Sequence, residues 1–443
     1  MRVVRPPGRG RGGVGQSVLS VPGGVLARVA ARVGTPAYVY SADAIRQQYQ
    51  TFHEALAGIS HRIHYSVKAN SSLAVLDLMR RLGVGVDIVS VGELARVRRA
   101  GFRPPDVVFS GVGKRPDELA EAVGCGVGLI NLESEGEFDG LRALVAGANA
   151  RIGVGIRVNP DVTTETHPYT QTGKSGMKFG VPLDQVVGLA IRVAATPGLE
   201  LQAVGMHIGS QISDPDPYRR GAEKLAALVE AVRCEGVNSL KYADVGGGLA
   251  IGYGREPALD PRAFADAVAP LARSTGLTLL VEPGRFLVGN AGVLLTRVLY
   301  HKRSGGREIL ITDAGMNDLL RPSLYQAYHE VALVNSAPIA LEPCARLDGE
   351  ADPGGVLVDI VGPNCESGDF LALGRALPAA LPGSLLAVLG AGAYGFGMSS
   401  NYNSRPRAAE ILLDGNRFGV IRERETAEDL MRGETAAPMW EMA

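Results

Sequence analysis

Residues 62–90, RIHYSVKANSSLAVLDLMRRLGVGVDIVS, contain a complete strand–helix–strand unit and decide the fold. RIHYSVKA (62–69) and GVDIVS (85–90) have the length and apolar content of buried strands. Between them, SLAVLDLMRRLG (72–83) carries apolar residues at the three- and four-residue spacing of an amphipathic helix. The unit predicts an α/β architecture.

The same alternation of strands and helices continues to about residue 290. The strand-like runs are RIHYSVKA at 62, GVDIVS at 85, VVFSG at 107, GLINLES at 128, RIGVGIRVNP at 151, LQAVGMHIGS at 201, YADVGGG at 242 and TLLVEPG at 278. Eight such units predict a (β/α)8 TIM-like barrel.

The pattern changes after Ala291 to short β-like runs separated by Gly, Pro and Asp. The runs are GVLLTRVLYHKR, EILITDAG, GGVLVDIVGP, LLAVLGAGAYG, AAEILLDG and RFGVIRER, and they predict an antiparallel β-sandwich domain. PAYVYS (36–41) is a further candidate strand for that domain. We expect a disordered tail at 1–16, a segment contributing to the β domain at 17–44, the barrel at 45–290, the β-sandwich at 291–425 and a second tail at 426–443.

Composition restricts the class of protein. A chain of 443 residues with a net charge of −1 is long enough for two domains and gives no electrostatic reason to bind nucleic acid or an anionic membrane. Neither a signal-peptide apolar region nor an uninterrupted run of 18 apolar residues is present, so we expect cytoplasmic residence. The four cysteines are far apart without a CxxC pair, and we expect no metal site.

Chemically unusual residues follow the predicted strands, at the rim where barrel enzymes carry their active sites. Lys68 closes the first run, Asp87 lies in the second, Asn159 closes the fifth, His207 closes the sixth, Gly246, Gly247 and Gly248 follow the seventh, and Glu282, Gly284 and Arg285 follow the eighth. A random scatter of polar residues would not gather there, so we expect one site.

Lys68, at the end of a buried strand, is our candidate nucleophile for an aldehyde. Partial desolvation at the bottom of a polar pocket would lower its pKa and make it reactive. The alternative is a lysine at the rim whose ammonium group reaches into water. The other polar residues predicted at the same rim make this interpretation the weaker one.

The glycines at 246–248 can bring backbone N–H groups close to an anion, with Ser210 and Arg285 as further phosphate ligands. Glu282 suits a cofactor ring nitrogen, and His207 suits the ring face. Asp87 would orient Lys68 or His207. The alternatives are a tight turn for the glycines, an interdomain salt bridge for Glu282 and a core histidine for His207.

A second polar cluster lies in the β domain. It comprises Arg321 and Tyr325 in NDLLRPSLYQAY, Cys365 and Glu366 in GPNCESGD, and Tyr394 in GAYG. A thiol and two carboxylates in a loop-like segment make Cys365 the candidate proton donor or acceptor, acting in a neighbouring pocket. The alternative for Arg321 is a solvated surface guanidinium.

These motifs together resemble the pyridoxal phosphate-dependent diaminopimelate decarboxylases, within the larger ornithine/diaminopimelate decarboxylase family. The resemblance covers residues 34 to about 420 and is carried by THPYTQTGKSGMKFG at 166–180, DAGMNDLLRPSLYQAYH at 313–329, GPNCESGD at 362–369 and GAYGFGMSSNYNSRPRAAE at 392–410. It implies a barrel plus a β-sandwich, pyridoxal 5'-phosphate as cofactor, and a homodimer whose active sites are shared between subunits.

The resemblance also implies a role for each matching residue. Lys68 would bind the cofactor covalently, His207 would cover its ring, Ser210 and the Gly246–Gly248 loop would hold its phosphate, and Glu282 would contact its ring nitrogen. Arg285, Arg321, Tyr325, Glu366 and Tyr394 would contact the substrate, with Arg285 and Tyr394 also near the phosphate. Cys365, supplied with Glu366 by the partner subunit, would return a proton to the substrate after decarboxylation of meso-2,6-diaminopimelate to L-lysine.

Two positions depart from the family pattern: Asn364 stands where an aliphatic residue is expected, and LAIGY (249–253) lacks an expected proline. Two alternatives remain at this stage. One is a related decarboxylase of ornithine, lysine, arginine or a carrier-bound amino acid, which should lack Arg321. The other is an amino-acid racemase, which should use a tyrosine in place of the Cys-Glu loop.

Overall fold

The computed structural model describes residues 20–146, 151–164, 172–173, 176–254, 257–335, 338–340, 355–437 and 440. The Arg-rich residues 1–16 and most of the motif at 166–180 lie outside these ranges.

The described chain begins with a segment of two strands and two helices. These elements are β1 (Ser20–Pro22), α1 (Gly23–Val33), β2 (Ala37–Ser41) and α2 (Ala42–Ala55). Ser41 ends β2 and starts α2, because its hydroxyl accepts the Ala44 N–H at 3.2 Å and satisfies a donor that the first helical turn leaves free. The predicted strand in PAYVYS is thus followed directly by a helix.

A closed parallel barrel follows. Its strands are β3 (His61–Ser66), β4 (Gly85–Ile88), β5 (Val107–Phe109), β6 (Leu129–Leu132) and β7 (Ile152–Asn159), then a short β8 (Val181–Pro182) beside β7, then β9 (Leu199–Met206), β10 (Tyr242–Asp244) and β11 (Thr278–Val281). β3 pairs with β11, and β6 pairs with β7, which closes the ring. The predicted (β/α)8 barrel is confirmed.

Helices cover the outside of the barrel. They are α3 (Leu73–Arg81), α4 (Val91–Arg99), α5 (Pro116–Cys125), α6 (Glu135–Val145), α7 (Leu183–Ala194), α8 (Asp216–Cys234), α9 (Pro261–Thr275) and the short α10 (Arg285–Val288). Serine caps start two of them: Ser90 accepts the N–H of Glu93, and Ser134 accepts the N–H of Glu137. None of the helices in the described ranges is both long and apolar enough to cross a bilayer.

The remaining elements form the second domain. They are β12 (Gly292–Ser304), β13 (Arg307–Thr312), α11 (Arg321–Tyr325), β14 (Val331–Leu333), β15 (Pro338–Ala340), β16 (Val356–Val361), β17 (Phe370–Leu377), β18 (Leu385–Val388), β19 (Ala409–Asp414), β20 (Arg417–Arg422) and α12 (Ala427–Leu430). The predicted β-sandwich is confirmed, although β13 pairs with β16, and β2 with β19, in parallel. The sequence patterns did not identify β14, β15 and β17, and α12 lies where they predicted a disordered tail.

Strand β2 stands in the middle of this sheet, between β12 and β19. The long strand β12 pairs with β2 through its first four residues and with β13 through its second half, so it belongs to both halves of the sandwich. The chain before the barrel and the chain after it therefore form one folding unit.

Two hydrogen bonds dock the second domain on the barrel rim. The N–H of Tyr394 donates to the Ala69 carbonyl at 2.8 Å, and the side-chain amide of Asn70 donates to the Gly392 carbonyl at 3.1 Å. Both bonds reach the turn that carries Lys68. The loop at 390–398 and the end of β3 are consequently held in fixed register.

Position 392 requires glycine, because the docked backbone leaves no space there for a side chain. A Cβ there would lie 1.9 Å from the Val288 carbonyl oxygen and 2.9 Å from the Gly292 nitrogen, which are both backbone atoms. We expect Gly392→Ala to lose about 3 kcal/mol of stability through overpacking. Thermal unfolding at a fixed scan rate measures this as a lower apparent Tm.

Gly419→Ala, on the exposed strand β20, is the matched control, since a Cβ there meets nothing within 4 Å. Its Tm should equal that of the parent. Equal Tm values for the two variants would contradict the close approach at Gly392.

Candidate active site

A cavity of about 530 Å³ opens at the C-terminal rim of the barrel, a volume that suits a cofactor or a substrate of similar size. Residues of both domains line it, because the β-domain loop at 390–398 covers the lysine turn. The predicted site residues in the lining are Lys68, Asp87, His207, Ser210, Gly248, Glu282, Gly284, Arg285, Arg321, Tyr325 and Tyr394.

Lys68 lies in the 3-10 turn after β3, with 40% of its side chain exposed to the cavity. Its Nζ is 3.9 Å from Oδ2 of the buried Asp87, which also accepts the Ser66 hydroxyl at 2.9 Å. Burial lowers the pKa of Lys68, but the charge of Asp87, followed by Tyr394 and Glu282, outweighs burial and raises it. The predicted lowering is therefore wrong here: Lys68 is an ammonium that must lose a proton before it attacks an aldehyde.

His207 follows β9 and is uncharged. Burial, together with the charges of Lys68 and Arg157, holds its pKa well below the usual value. Its Nδ1 accepts the Gly247 N–H at 3.3 Å, so Nε2 carries the proton of the neutral ring. A neutral imidazole can pack on an aromatic ring without adding a positive charge to it.

Glu282 forms a carboxyl pair with Asp244 at the ends of neighbouring strands. Burial raises the pKa of Glu282 well above the usual value, and Asp244 and Asp87 act in the same direction. Burial also raises the pKa of Asp244, to about 6, while its bond from the Gly246 N–H at 2.8 Å opposes the shift. The pair holds a proton inside the cavity, where a ring nitrogen could receive it.

The glycine run is packed backbone against backbone. A Cβ at Gly247 would lie 2.1 Å from the Glu282 carbonyl oxygen, and one at Gly248 would lie 2.2 Å from that of Gly209. The N–H groups of Gly246 and Gly247 donate to Asp244 and His207, so the structure does not aim these two predicted anion donors at the cavity. Of the three glycines, Gly248 reaches the lining.

Arg285 supplies positive charge next to that turn. Its Nη2 donates to the Ser210 hydroxyl at 2.8 Å, and its Nη1 donates to the Tyr253 hydroxyl at 2.6 Å. The guanidinium carbon also lies 4.8 Å from the centre of the Tyr394 ring. A guanidinium beside a hydroxyl and a glycine is suited to bind a phosphate.

Arg321 starts α11, is 6% exposed, and brings a second buried guanidinium to the same cavity. Its Nε donates to Nε2 of His329 at 3.3 Å, and its guanidinium carbon lies 4.7 Å from the Tyr253 ring centre. The alternative of a solvated surface arginine is wrong for Arg321. Tyr325, one turn later, lines the cavity as well.

Cys365 and Glu366 are exposed and do not belong to the lining of their own chain's cavity. Their loop is nevertheless ordered around Asp369, which accepts the Met316 and Asn364 N–H groups at 2.6 Å each. The Cys365 N–H donates to the Asn403 side chain at 2.7 Å. The NYNSR motif thus fixes the position of the cysteine loop.

Several residues of this region are not among the site residues predicted from the sequence: Arg157, Asp244, Tyr253, His329 and Asn403. Arg157 and Asp244 line the cavity at the ends of β7 and β10, so the strand-end rule that selected Lys68 would have found them. Tyr253 and Asn403 act through contacts with residues 32 and 38 positions away, and His329, although it belongs to the motif at 313–329, acts through a buried bond to Arg321 that its residue type alone does not indicate. In the described ranges, no group of three or more His, Cys, Asp or Glu side chains could hold a metal ion.

Comparison with known proteins agrees with this geometry. Residues 42–289 match the family model described as pyridoxal-dependent decarboxylase, pyridoxal binding domain. The chain is 44% identical to the diaminopimelate decarboxylase of Pseudomonas aeruginosa over 95% of this chain and 97% of the relative.

Solved structures agree as well. The diaminopimelate decarboxylase of Helicobacter pylori in complex with L-lysine matches with a TM-score of 0.85 and 35% identity, over 92% of this chain and 98% of that one. The M. jannaschii enzyme in complex with L-lysine matches with a TM-score of 0.84 and 30% identity, over 93% and 94%. The chain therefore belongs to the diaminopimelate decarboxylase family of pyridoxal-dependent decarboxylases, as the sequence motifs predicted.

Proposed function

We propose that this chain decarboxylates meso-2,6-diaminopimelate to L-lysine and CO2, the last step of lysine biosynthesis, with pyridoxal 5'-phosphate as cofactor. The observation that carries the proposal is the presence of Arg321, buried and charged, in the cavity of Lys68. Diaminopimelate has a second carboxylate that remains after the first is lost, and a buried guanidinium is a suitable partner for it.

The residues of the cavity suit the proposed cofactor. Ser210, Gly248, Gly284 and Arg285 offer a hydroxyl, backbone and a guanidinium to its phosphate, and the close backbone packing at Gly248 leaves no space for a side chain. When bound, pyridoxal phosphate supplies a conjugated ring that takes up the electron pair left by the departing CO2.

The residues around the ring hold and move protons. Lys68, held 3.9 Å from Asp87, would bind the aldehyde carbon of the cofactor once it has given up its proton, and the aldehyde oxygen would leave as water. The Glu282–Asp244 pair would supply a proton to the ring nitrogen of the cofactor, and neutral His207 would exclude water from the ring. Tyr394 closes the site from the β-domain loop.

Substrate contacts are assigned to Arg285, Arg321, Tyr325, Glu366 and Tyr394. Arg321 takes the distal carboxylate, and Glu366 takes the distal ammonium. Cys365 returns a proton to the carbon that lost CO2.

Because Cys365 and Glu366 are exposed and absent from the lining of their own cavity, we assign them to the cavity of a second copy. The protein then acts as a homodimer with shared active sites. We further propose that it works in the cytoplasm without nucleic acid or membrane partners, which fits the free thiols of Cys125, Cys234 and Cys365.

The alternatives predict other products. A decarboxylase of ornithine, lysine, arginine or a carrier-bound amino acid would have no use for a buried Arg321. A racemase would release no CO2.

Product analysis separates these alternatives. Purified protein with pyridoxal phosphate is incubated separately with meso-diaminopimelate, L-ornithine, L-lysine and L-arginine. We expect CO2 and L-lysine from diaminopimelate alone, since Arg321 binds the second carboxylate, which the other three substrates lack. Turnover of another substrate in its place would overturn the assignment of Arg321 and Glu366.

Lys68→Ala should remove the covalent attachment of the cofactor. Borohydride treatment followed by mass measurement should add the cofactor mass to the parent and to Lys302→Ala, which changes an exposed lysine on β12, but not to Lys68→Ala. Attachment that persists in Lys68→Ala would reject this lysine as the nucleophile.

Cys365→Ala should keep the cofactor and lose turnover at least about 100-fold, the size of a missing general acid. Cys234→Ala, which removes another exposed thiol, should retain parental turnover. Near-normal turnover of Cys365→Ala would remove it from the mechanism.

Mixing inactive Lys68→Ala with inactive Cys365→Ala tests whether the sites are shared. Random exchange of subunits makes about half of the dimers mixed, each with one intact site, so about a quarter of the parental activity should return. No recovery, when exchange is verified with differently tagged subunits, would argue against shared sites.

A further inference from the structure

His329 contacts the Arg321 guanidinium and is fully buried, with 0% exposure. Besides accepting the bond from Nε of Arg321 at 3.3 Å, it contacts the Leu389 carbonyl through Nδ1 at 2.8 Å. Its ring meets the Tyr253 ring edge to face, with centroids 5.0 Å apart. Three neighbours therefore fix the orientation of the imidazole.

The hydrogen bonds determine the tautomer of His329. A carbonyl oxygen only accepts, so Nδ1 must carry the hydrogen that is donated to Leu389. Nε2 is then a lone-pair acceptor, as the bond from the guanidinium requires. Burial, with the charge of Arg321 next, lowers the pKa of His329 to about 3, so this neutral form is kept at neutral pH.

A neutral acceptor has a particular consequence for Arg321. An aspartate or glutamate at this place would orient the guanidinium but would also neutralise it, and a substrate carboxylate would gain little there. An imidazole orients the guanidinium and leaves its charge intact. Because the bond uses Nε, the two Nη atoms, which make no hydrogen bond to the described part of the chain, form the fork that can bind a carboxylate with two hydrogen bonds.

The face of the Arg321 guanidinium is also fixed, since it lies over the Tyr253 ring. The hydroxyl of the same tyrosine is bonded to Arg285. One edge of the guanidinium is thus held by His329 and one face by Tyr253, and neither contact removes the charge.

We propose that His329 is a specificity-determining positioning residue: through Nε2 it holds Arg321 so that the guanidinium keeps its charge and its Nη fork for the distal carboxylate of the substrate. This inference rests on the proposed function for the identity of that substrate. It adds a residue that does not line the cavity and acts through another residue.

The test compares two ligands that differ in one carboxylate. L-lysine keeps the distal carboxylate of diaminopimelate, and 1,5-diaminopentane is the same chain without it. Their Kd values are measured by calorimetry on the holoenzyme, for the parent, His329→Asn and His329→Gln. The asparagine amide can still donate to Leu389 but is too short to replace Nε2, whereas the glutamine oxygen can reach the position of Nε2.

We expect His329→Asn to weaken L-lysine binding, and to raise the KM for diaminopimelate, by about tenfold, the size of one lost hydrogen bond to a charged group. Binding of 1,5-diaminopentane should not change. His329→Gln should recover most of the preference for L-lysine. His301→Asn, which changes an exposed histidine on β12, is the matched control and should behave as the parent.

Equal weakening of both ligands would show a merely structural role and overturn the proposal, and so would unchanged binding of L-lysine in His329→Asn. If His329→Asn does not fold, loss of the L-lysine preference in a folded His329→Gln overturns it as well. Failure of the proposed function is seen separately, as absence of CO2 from diaminopimelate with the parent. The two Kd values measure carboxylate recognition whichever reaction the parent catalyses.

Discussion

The 2.8 Å hydrogen bond from the Tyr394 N–H to the Ala69 carbonyl joins the two halves of the active site. It links the turn that carries Lys68 to a loop of the β domain, and the bond from Asn70 to Gly392 repeats the link one residue later. The barrel alone would leave Lys68 in an open rim. With the loop in place, residues from both ends of a long chain line one cavity.

Much of this arrangement was predictable from the sequence because barrel strands and strand-end chemistry have local signals. The run RIHYSVKA predicted both β3 and the position of Lys68, and seven further strand-like runs predicted the other barrel strands except the short β8. β17 was missed because FLALGRAL contains exposed as well as buried apolar residues and gives no clean alternation. Tyr253 was missed because its role arises from a bond to Arg285 across 32 residues. His329 was missed although it lies in the motif at 313–329, because its burial and its bond to Arg321 depend on tertiary packing.

The sequence also could not give the sign of the pKa shift at Lys68. Desolvation and charge oppose each other there, and the outcome depends on Asp87, which is 19 positions away along the chain but 3.9 Å away in space. The same carboxylate raises the pKa of Glu282. One buried carboxylate thus favours a proton on Lys68 and on the carboxyl pair of Glu282 and Asp244.

The guanidinium groups of Arg285 and Arg321 lie in one cavity, and this arrangement supports the proposed substrate, which has one carboxylate more than ornithine, lysine or arginine. Burial lowers the pKa of Arg321, and the charge of Arg285 acts in the same direction, because two guanidinium groups lie close together against one tyrosine, Tyr253. In the proposed function, a phosphate at Arg285 would relieve part of this repulsion, and a distal carboxylate at Arg321 would relieve the rest. A substrate without that carboxylate leaves Arg321 buried and uncompensated, which costs several kcal/mol when no other anion replaces it. With the proposed role of Arg321, discrimination would come from the penalty for the wrong substrate as much as from contacts with the right one.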